Sequence, residues 1–261
     1  MDIEILNKSE YKLNFVLKGI DPAIANTLRR LMISEIPVLA IEDVNFIKNS
    51  SALFDEILAL RLGLIPLKSD KSYNFKDKCV CKGEGCARCQ LSLTLTCKGP
   101  CTVYASDLKS TDPKIQPAFP KMPIVKLLKG QELELEAIAI LGQGKRHAKF
   151  SPGLVHYKAY PKIKIDNKLK NPEKAHKSCP VNVFELQGKT LKVKHLLNCT
   201  LCNACVDIAD PQGSIEVEAS DKDFIFFIES WQQLSAKNVF LEALNIFDEK
   251  LDELAAKLKK A

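Results

Sequence analysis

Apolar and polar residues alternate along several stretches of the chain, and the alternation predicts strands. Leu13, Phe15 and Leu17 recur at every second position between Tyr11 and Gly19, the pattern of a half-buried strand. Asp21 then offers an N-cap oxygen, and Pro22 suits a first helical position. Ile24, Leu28 and Leu31 follow at helical spacing until Pro37 ends the run. Val38 to Lys48 alternates again as a strand. Ser51 to Leu62 reads as an amphipathic helix through Phe54, Ile57, Leu58 and Leu62, closed by Gly63 and Pro66. Further strands are predicted at Leu91–Leu95, Val103–Ala105, Leu133–Ile140, Ile163–Ile165, Leu191–Val193 and Ile215–Val217, with a last one through Phe224, Phe226 and Ile228. Four prolines between Ser110 and Pro123 predict an extended loop. Gly142 to Gly144 lacks the third glycine of a dinucleotide fingerprint and reads as a turn.

The C-terminal segment carries the strongest period. Phe240, Leu244, Phe247, Leu251, Leu254 and Leu258 are spaced alternately by four and three, a heptad seam on one helix face. Such a seam packs either on the chain's own core or against a helix of another chain.

Composition bounds the class. The chain has 261 residues, 46% apolar and 27% charged, which suits one large domain or two to three small ones and excludes wholesale disorder. No apolar stretch is long enough to span a membrane, and the N-terminus shows no secretory signal pattern, so a cytoplasmic protein is expected. The net charge is +6, yet Lys145, Arg146, Lys149, Lys158, Lys162, Lys164, Lys168, Lys170, Lys174 and Lys177 face only Asp166 and Glu173 in their window. The basicity is therefore local, and the remainder is slightly acidic. Only five arginines occur in the chain, which argues against sequence-specific base readout. The lysines read as a solvated face, or as a patch meeting an acidic partner or a nucleic-acid backbone.

Ten cysteines in a chain of this kind are read first as thiols or metal ligands. Cys199, Cys202 and Cys205 form C-x2-C-x2-C, which brings three thiolates around one corner of an iron–sulfur cluster, and the remote Cys179-Pro180 fits the fourth ligand. The stretch from Pro161 to Ala219 resembles a bacterial-type ferredoxin domain. The two-cluster pattern would require cysteines where this chain has Leu169, Pro172, Ala175 and Ala209, so a single cluster is expected, with four or three irons. Zinc or inert thiols are the competing readings. Cys79, Cys81, Cys86 and Cys89 lie within eleven residues, with Gly83 and Gly85 easing the turn, and suit a closed tetrahedral zinc site. Two disulfides or an unoccupied loop are the alternatives. Cys97 and Cys101 read as ordinary buried thiols.

Catalytic patterns are missing. His147, His156, His176 and His195 sit in no metal-hydrolase spacing, and there is no P-loop, nucleophile elbow or Asp-rich nucleotidyl-transfer motif. Glu132, Glu134 and Glu136, like Glu216 and Glu218, fall at period two and read as solvent faces of strands.

The segment from Phe15 to Arg30, followed by Glu35-Ile-Pro37, is similar to the assembly helix of RNA polymerase alpha-type subunits. Ser51 to Leu67, Val103 to Lys109 and Gly142 to Pro152 are similar to further motifs of that family. With its ferredoxin-like insertion, the whole chain resembles the archaeal branch of the family. The resemblance implies an α+β architecture: a discontinuous dimerisation domain from residues 1–38 and 220–261, a mostly-β insert domain at 39–160 with the cysteine loop, and a ferredoxin-like iron–sulfur domain at 161–219. It implies a non-catalytic assembly subunit of a DNA-directed RNA polymerase that pairs with subunit L through Ile24, Leu28, Leu31 and the C-terminal seam. The pair, with subunits N and P, would form the platform for the large catalytic subunits. No small-molecule substrate and no direct sequence-specific DNA contact are implied. The competing function is a ferredoxin-like electron-transfer subunit of an oxidoreductase.

Overall fold

The computed structural model describes residues 1–70 and 72–259. In chain order these form β1 (Asp2–Lys8), β2 (Lys12–Lys18), α1 (Pro22–Ser34), β3 (Pro37–Asn49), α2 (Asp55–Gly63), β4 (Gln90–Lys98), β5 (Cys101–Tyr104), β6 (Lys109–Ser110), β7 (Pro123–Leu127), β8 (Glu132–Gln143), β9 (Gly153–Ile165), α3 (Pro172–Ser178), β10 (Phe184–Gln187), β11 (Thr190–Val193), α4 (Ala204–Asp207), β12 (Ile215–Ser230) and α5 (Ala236–Leu258). The chain divides into two compact units. One comprises residues 1–7, 14–26 and 156–227; the other comprises 8–13, 27–155 and the chain from 228 onward. No helix of the described residues is long and apolar enough to cross a membrane.

The second unit is built on an antiparallel sheet of order β3-β8-β4-β6, with β5 and β7 paired beside it. Alternation along β8 sends Leu133, Leu135, Ala137 and Ala139 into the main core and leaves Glu132, Glu134 and Glu136 half-buried on the other side. Towards Leu141 the alternation gives way to a continuous buried run because both faces are covered there. Leu39 and Ile41 of β3 enter the main core, while Val38, Ala40, Ile140 and Phe150 form a second cluster. Gly142 pairs with Val38 in the ladder, and a Cβ there would meet the Phe150 ring at 2.6 Å. That glycine therefore permits close packing within a strand, where a turn was expected.

The helix expected from Ser51 starts at Asp55 instead. Asn49 Oδ1 accepts from Ser51 N at 3.0 Å and Ser51 Oγ accepts from Leu53 N at 3.2 Å, so local side-chain bonds compete with helix until Asp55. Leu58 and Leu62 are buried, whereas Phe54 stays 79% exposed. α5 begins where Ser235 Oγ accepts from Asn238 N at 3.2 Å, an N-cap bond.

The strands β1-β2-β12-β9 form a four-stranded sheet whose residues lie mostly in the first unit. Phe15 stacks on Phe226 at 5.3 Å, and Tyr157 meets Phe224 edge-on at 5.4 Å. The two strands expected at 215–217 and 224–228 are one continuous strand, β12. The rest of this unit packs Ala175, Val183, Phe184, Leu191, Cys199, Cys205, Ala209 and Ile215 into a small core of its own.

Close backbone approach gives a direct test. A Cβ on Gly153 would lie 2.3 Å from the carbonyl oxygen of Glu229. Gly153→Ala should cost about 1–3 kcal/mol, the usual penalty of overpacking, read as a lower midpoint of denaturant unfolding. An unchanged midpoint would contradict the contact.

Candidate metal centres

Two tight turns shape the first cysteine loop. Lys82 N donates to Cys79 O at 2.9 Å and Cys89 N donates to Cys86 O at 2.9 Å, while a bond from Glu84 N to Cys81 O at 3.1 Å folds the C-x-C segment inward. Lys82, Gly83 and Gly85 adopt positive φ, the left-handed backbone these reversals require. The four thiols meet: all ligand atoms lie within 4.8 Å of one another, and among the described residues this is the one His, Cys, Asp or Glu group so close. Cys79 and Cys86 sulfurs are 3.6 Å apart, Cys81 and Cys89 3.6 Å, Cys86 and Cys89 3.9 Å. A metal–sulfur bond of about 2.3 Å gives a tetrahedral edge of about 3.8 Å, so the set fits one four-coordinate ion. Disulfide sulfurs would stand at about 2.0 Å, and all ten cysteines are free thiols. The backbone N–H of Gly85, helped by that of Gly83, draws the Cys81 thiol down to about 6, and burial pushes Cys89 up to about 12.

The second set surrounds a cavity. Cys179, Cys199, Cys202 and Cys205 line one pocket with Val181, Val183, Phe184 and Val217. Cys199 and Cys205 are buried, Cys179 is half-buried and Cys202 is exposed. The loop between them is held in left-handed backbone at Leu201, φ 59°, and Asn203, φ 60°, unusual conformations for residues other than glycine. This geometry turns N–H groups toward sulfur. Leu201 N donates to Cys199 Sγ at 3.4 Å, and Val183 N donates to Cys179 Sγ at 3.3 Å. The Ala204 N–H lowers the Cys202 thiol, whereas burial raises Cys205. Four soft donors, an apolar wall and aimed N–H groups fit a polynuclear iron–sulfur centre.

Among the remaining sites, Cys97 is half-buried but Cys101 is exposed, correcting the expectation of two buried thiols. The basic stretch is not uniformly solvated either. Lys145 pairs with Glu35 at 3.1 Å, Arg146 pairs with Glu42, and Lys149 is bonded to Glu42 at 2.5 Å and to the carbonyl of Ile41 at 2.9 Å. Lys158 is half-buried, bonded to the carbonyls of Leu197 at 2.6 Å and Cys199 at 2.9 Å, and burial lowers its ammonium below the usual range. Strand parity put it on one face with Lys162 and Lys164, so sequence held no signal for its role. His147 accepts from Lys149 N, and His156 stacks on Phe227 at 4.8 Å.

The expected interface residues divide by exposure. Leu28 and Leu31 are buried within this chain, and Ile24 is 40% exposed. Along the seam Phe240, Leu244 and Phe247 are half-buried, while Leu251, Leu254 and Leu258 are exposed.

The RNA polymerase Rpb3/RpoA insert domain family matches residues 41–157. The DNA-directed RNA polymerase subunit Rpo3 of Methanosarcina acetivorans is 42% identical over 98% of this chain and 97% of its own length. Those of Archaeoglobus fulgidus and Pyrococcus horikoshii are 38% and 35% identical, over 97% and 99% of this chain and 96% and 98% of their own lengths.

Tetrahedral thiolate geometry has a spectroscopic consequence. Cobalt(II) loaded into the loop should give intense thiolate charge-transfer bands and tetrahedral visible absorption. Cys89→Ser should weaken both, and an octahedral cobalt spectrum for the parent chain would overturn the four-sulfur site.

Proposed function

This chain belongs to the Rpo3 family of archaeal RNA polymerase alpha-type subunits, and from that premise we propose that it is a non-catalytic scaffold subunit. It pairs with the small subunit L, and the pair, with subunits N and P, receives the large catalytic subunits in the cytoplasm. The supporting observation is the uncovered end of the α5 seam. Leu251, Leu254 and Leu258 are 48%, 54% and 68% exposed at heptad spacing, apolar surface that a partner helix would bury. Residues 1–38 and 220–261 supply the dimerisation domain, 39–160 the insert domain and 161–219 the ferredoxin-like domain.

In this reading Cys79, Cys81, Cys86 and Cys89 hold a structural zinc ion. Cys179, Cys199, Cys202 and Cys205 hold one iron–sulfur cluster of three or four irons. When bound, the cluster would supply iron–thiolate bonds that staple two stretches of a small domain, so its binding free energy is folding free energy. The residues themselves hold the loop turned and shield it with Val183, Phe184 and Val217.

Co-expression with a subunit-L-like partner tests the scaffold. A stable heterodimer is expected, and Leu251→Asp with Leu254→Asp should abolish it; a monomer that reversibly transfers electrons would instead support the oxidoreductase reading. Serine at Cys199, Cys202 and Cys205 together should remove iron and sulfide, keep the pairing with L, and weaken later assembly. Normal assembly of whole enzyme by that triple variant would show the cluster to be no assembly determinant.

A further inference from the structure

Lys158 stands apart from the other lysines of its strand. Lys162 and Lys164 of β9 are exposed, whereas Lys158 is half-buried and turned onto the segment that leads into the C-x2-C-x2-C loop. Its ammonium bonds the carbonyl of Leu197 at 2.6 Å and that of Cys199 at 2.9 Å, bridging the short turn Leu196–Asn198 to the first cysteine of the loop. The Phe227 ring lies beneath it, 5.9 Å from the nitrogen to the ring centroid, and carries stacked His156 on the same sheet face. No carboxylate forms an ion pair with Lys158 among the described residues. A positive charge is thus withdrawn from water, fixed by neutral carbonyls and an aromatic face, and set beside Cys199.

We propose that Lys158 is a positioning residue for the iron–sulfur centre, fixing the Cys199 backbone and supplying a fixed positive charge beside the anionic thiolates. This rests on the cluster reading above. The physical reason is twofold. Two charge-assisted bonds hold the carbonyls in place, so the Cys199 sulfur keeps its direction toward the cavity. A nearby cation in low dielectric also stabilises whichever state of the centre is more negative, which raises its reduction potential.

The test uses the full chain purified anaerobically with its partner subunit. Parent protein is first assayed for iron and sulfide; their absence would overturn the cluster reading itself, and the proposal with it. Given a loaded parent, Lys158→Gln should shift the midpoint of a mediated dithionite titration to more negative potential. Its iron retention against a chelator should fall by about 10–100-fold, the usual effect of removing an outer-shell partner. Lys158→Arg should recover the potential. An unchanged potential and retention in Lys158→Gln would overturn the proposal while leaving the cluster standing. Should the glutamine variant not fold, acylation mapping on the parent decides. Lys158 should be protected relative to Lys162 and Lys164 while the cluster is bound and become reactive once iron is removed. Equal reactivity throughout would overturn the proposal.

Discussion

The antiparallel ladder between β3 and β8 is the constraint on which the larger unit depends. It pairs residues from Pro37 with Gln143 to Asn49 with Leu133, and it is loaded on both faces at one end. A slip of one residue would exchange those faces and send Leu39 and Ile41 away from the main core. Two irregularities, between Ile41 and Asp43 and between Phe46 and Lys48, interrupt the ladder and fix the register. Elements distant in sequence then lean on this ladder. Lys149 reaches the Ile41 carbonyl, and buried Gln233 donates to the Leu39 carbonyl at 3.2 Å. The Gly142-to-Pro152 motif is therefore first a clasp on β3, with Glu42 accepting Arg146 and Lys149 together.

The smaller unit follows a different logic. Its apolar cluster is modest, and two of its eight buried members are the thiols Cys199 and Cys205. Where a second cluster would bind in a two-cluster ferredoxin, Ala175 and Ala209 are buried and Leu169 packs against the same core. An amide clamp closes that end. Asn171 Nδ2 donates to the Ile208 carbonyl at 2.7 Å, Asp210 N donates to Asn171 Oδ1 at 3.0 Å, and Lys170 N donates to the Asp210 carbonyl at 2.7 Å. Hydrophobic filling and one side-chain amide thus hold these segments together.

Strong alternation and strong helical period were legible because burial on one face writes them directly. β2, β3, β4 and β8 follow such patterns, as do α1 and α5. Failures came where side-chain chemistry overrode burial. β1 exposes Ile3 at 46% and Ile5 at 59%, so its pairing leaves no amphipathic trace. The polar stretch of β12 reads as a break, yet Ser220 Oγ donates to Asp223 Oδ2 at 2.8 Å and Ile20 N donates to the Lys222 carbonyl at 2.9 Å, which keep the strand extended. Both cysteine sets were legible from spacing alone. The contact of Lys158 beside the second set was not, because it bonds main-chain carbonyls, and sequence carries no mark of which carbonyl lies opposite.

The two cysteine sets have the same donors and differ in spacing. Thiolates brought together repel, so any cationic centre held by either set would have to match the reach of its sulfurs. In the first loop three of the sulfur pairs stand at 3.6–3.9 Å and all lie within 4.8 Å, close to the edges of a tetrahedron around a single ion. In the second the thiols line a shared pocket, outside the 4.8 Å grouping that marks the first. They still sense one another: after burial, the charges of Cys199, Cys179 and Cys202 add to the rise of the Cys205 thiol. That wider spacing is the geometric ground for the polynuclear centre proposed above, as the tight loop is for a single ion. The tight C-x-C opening of the first loop and the remote Cys179-Pro180 of the second are the sequence correlates of those two spacings.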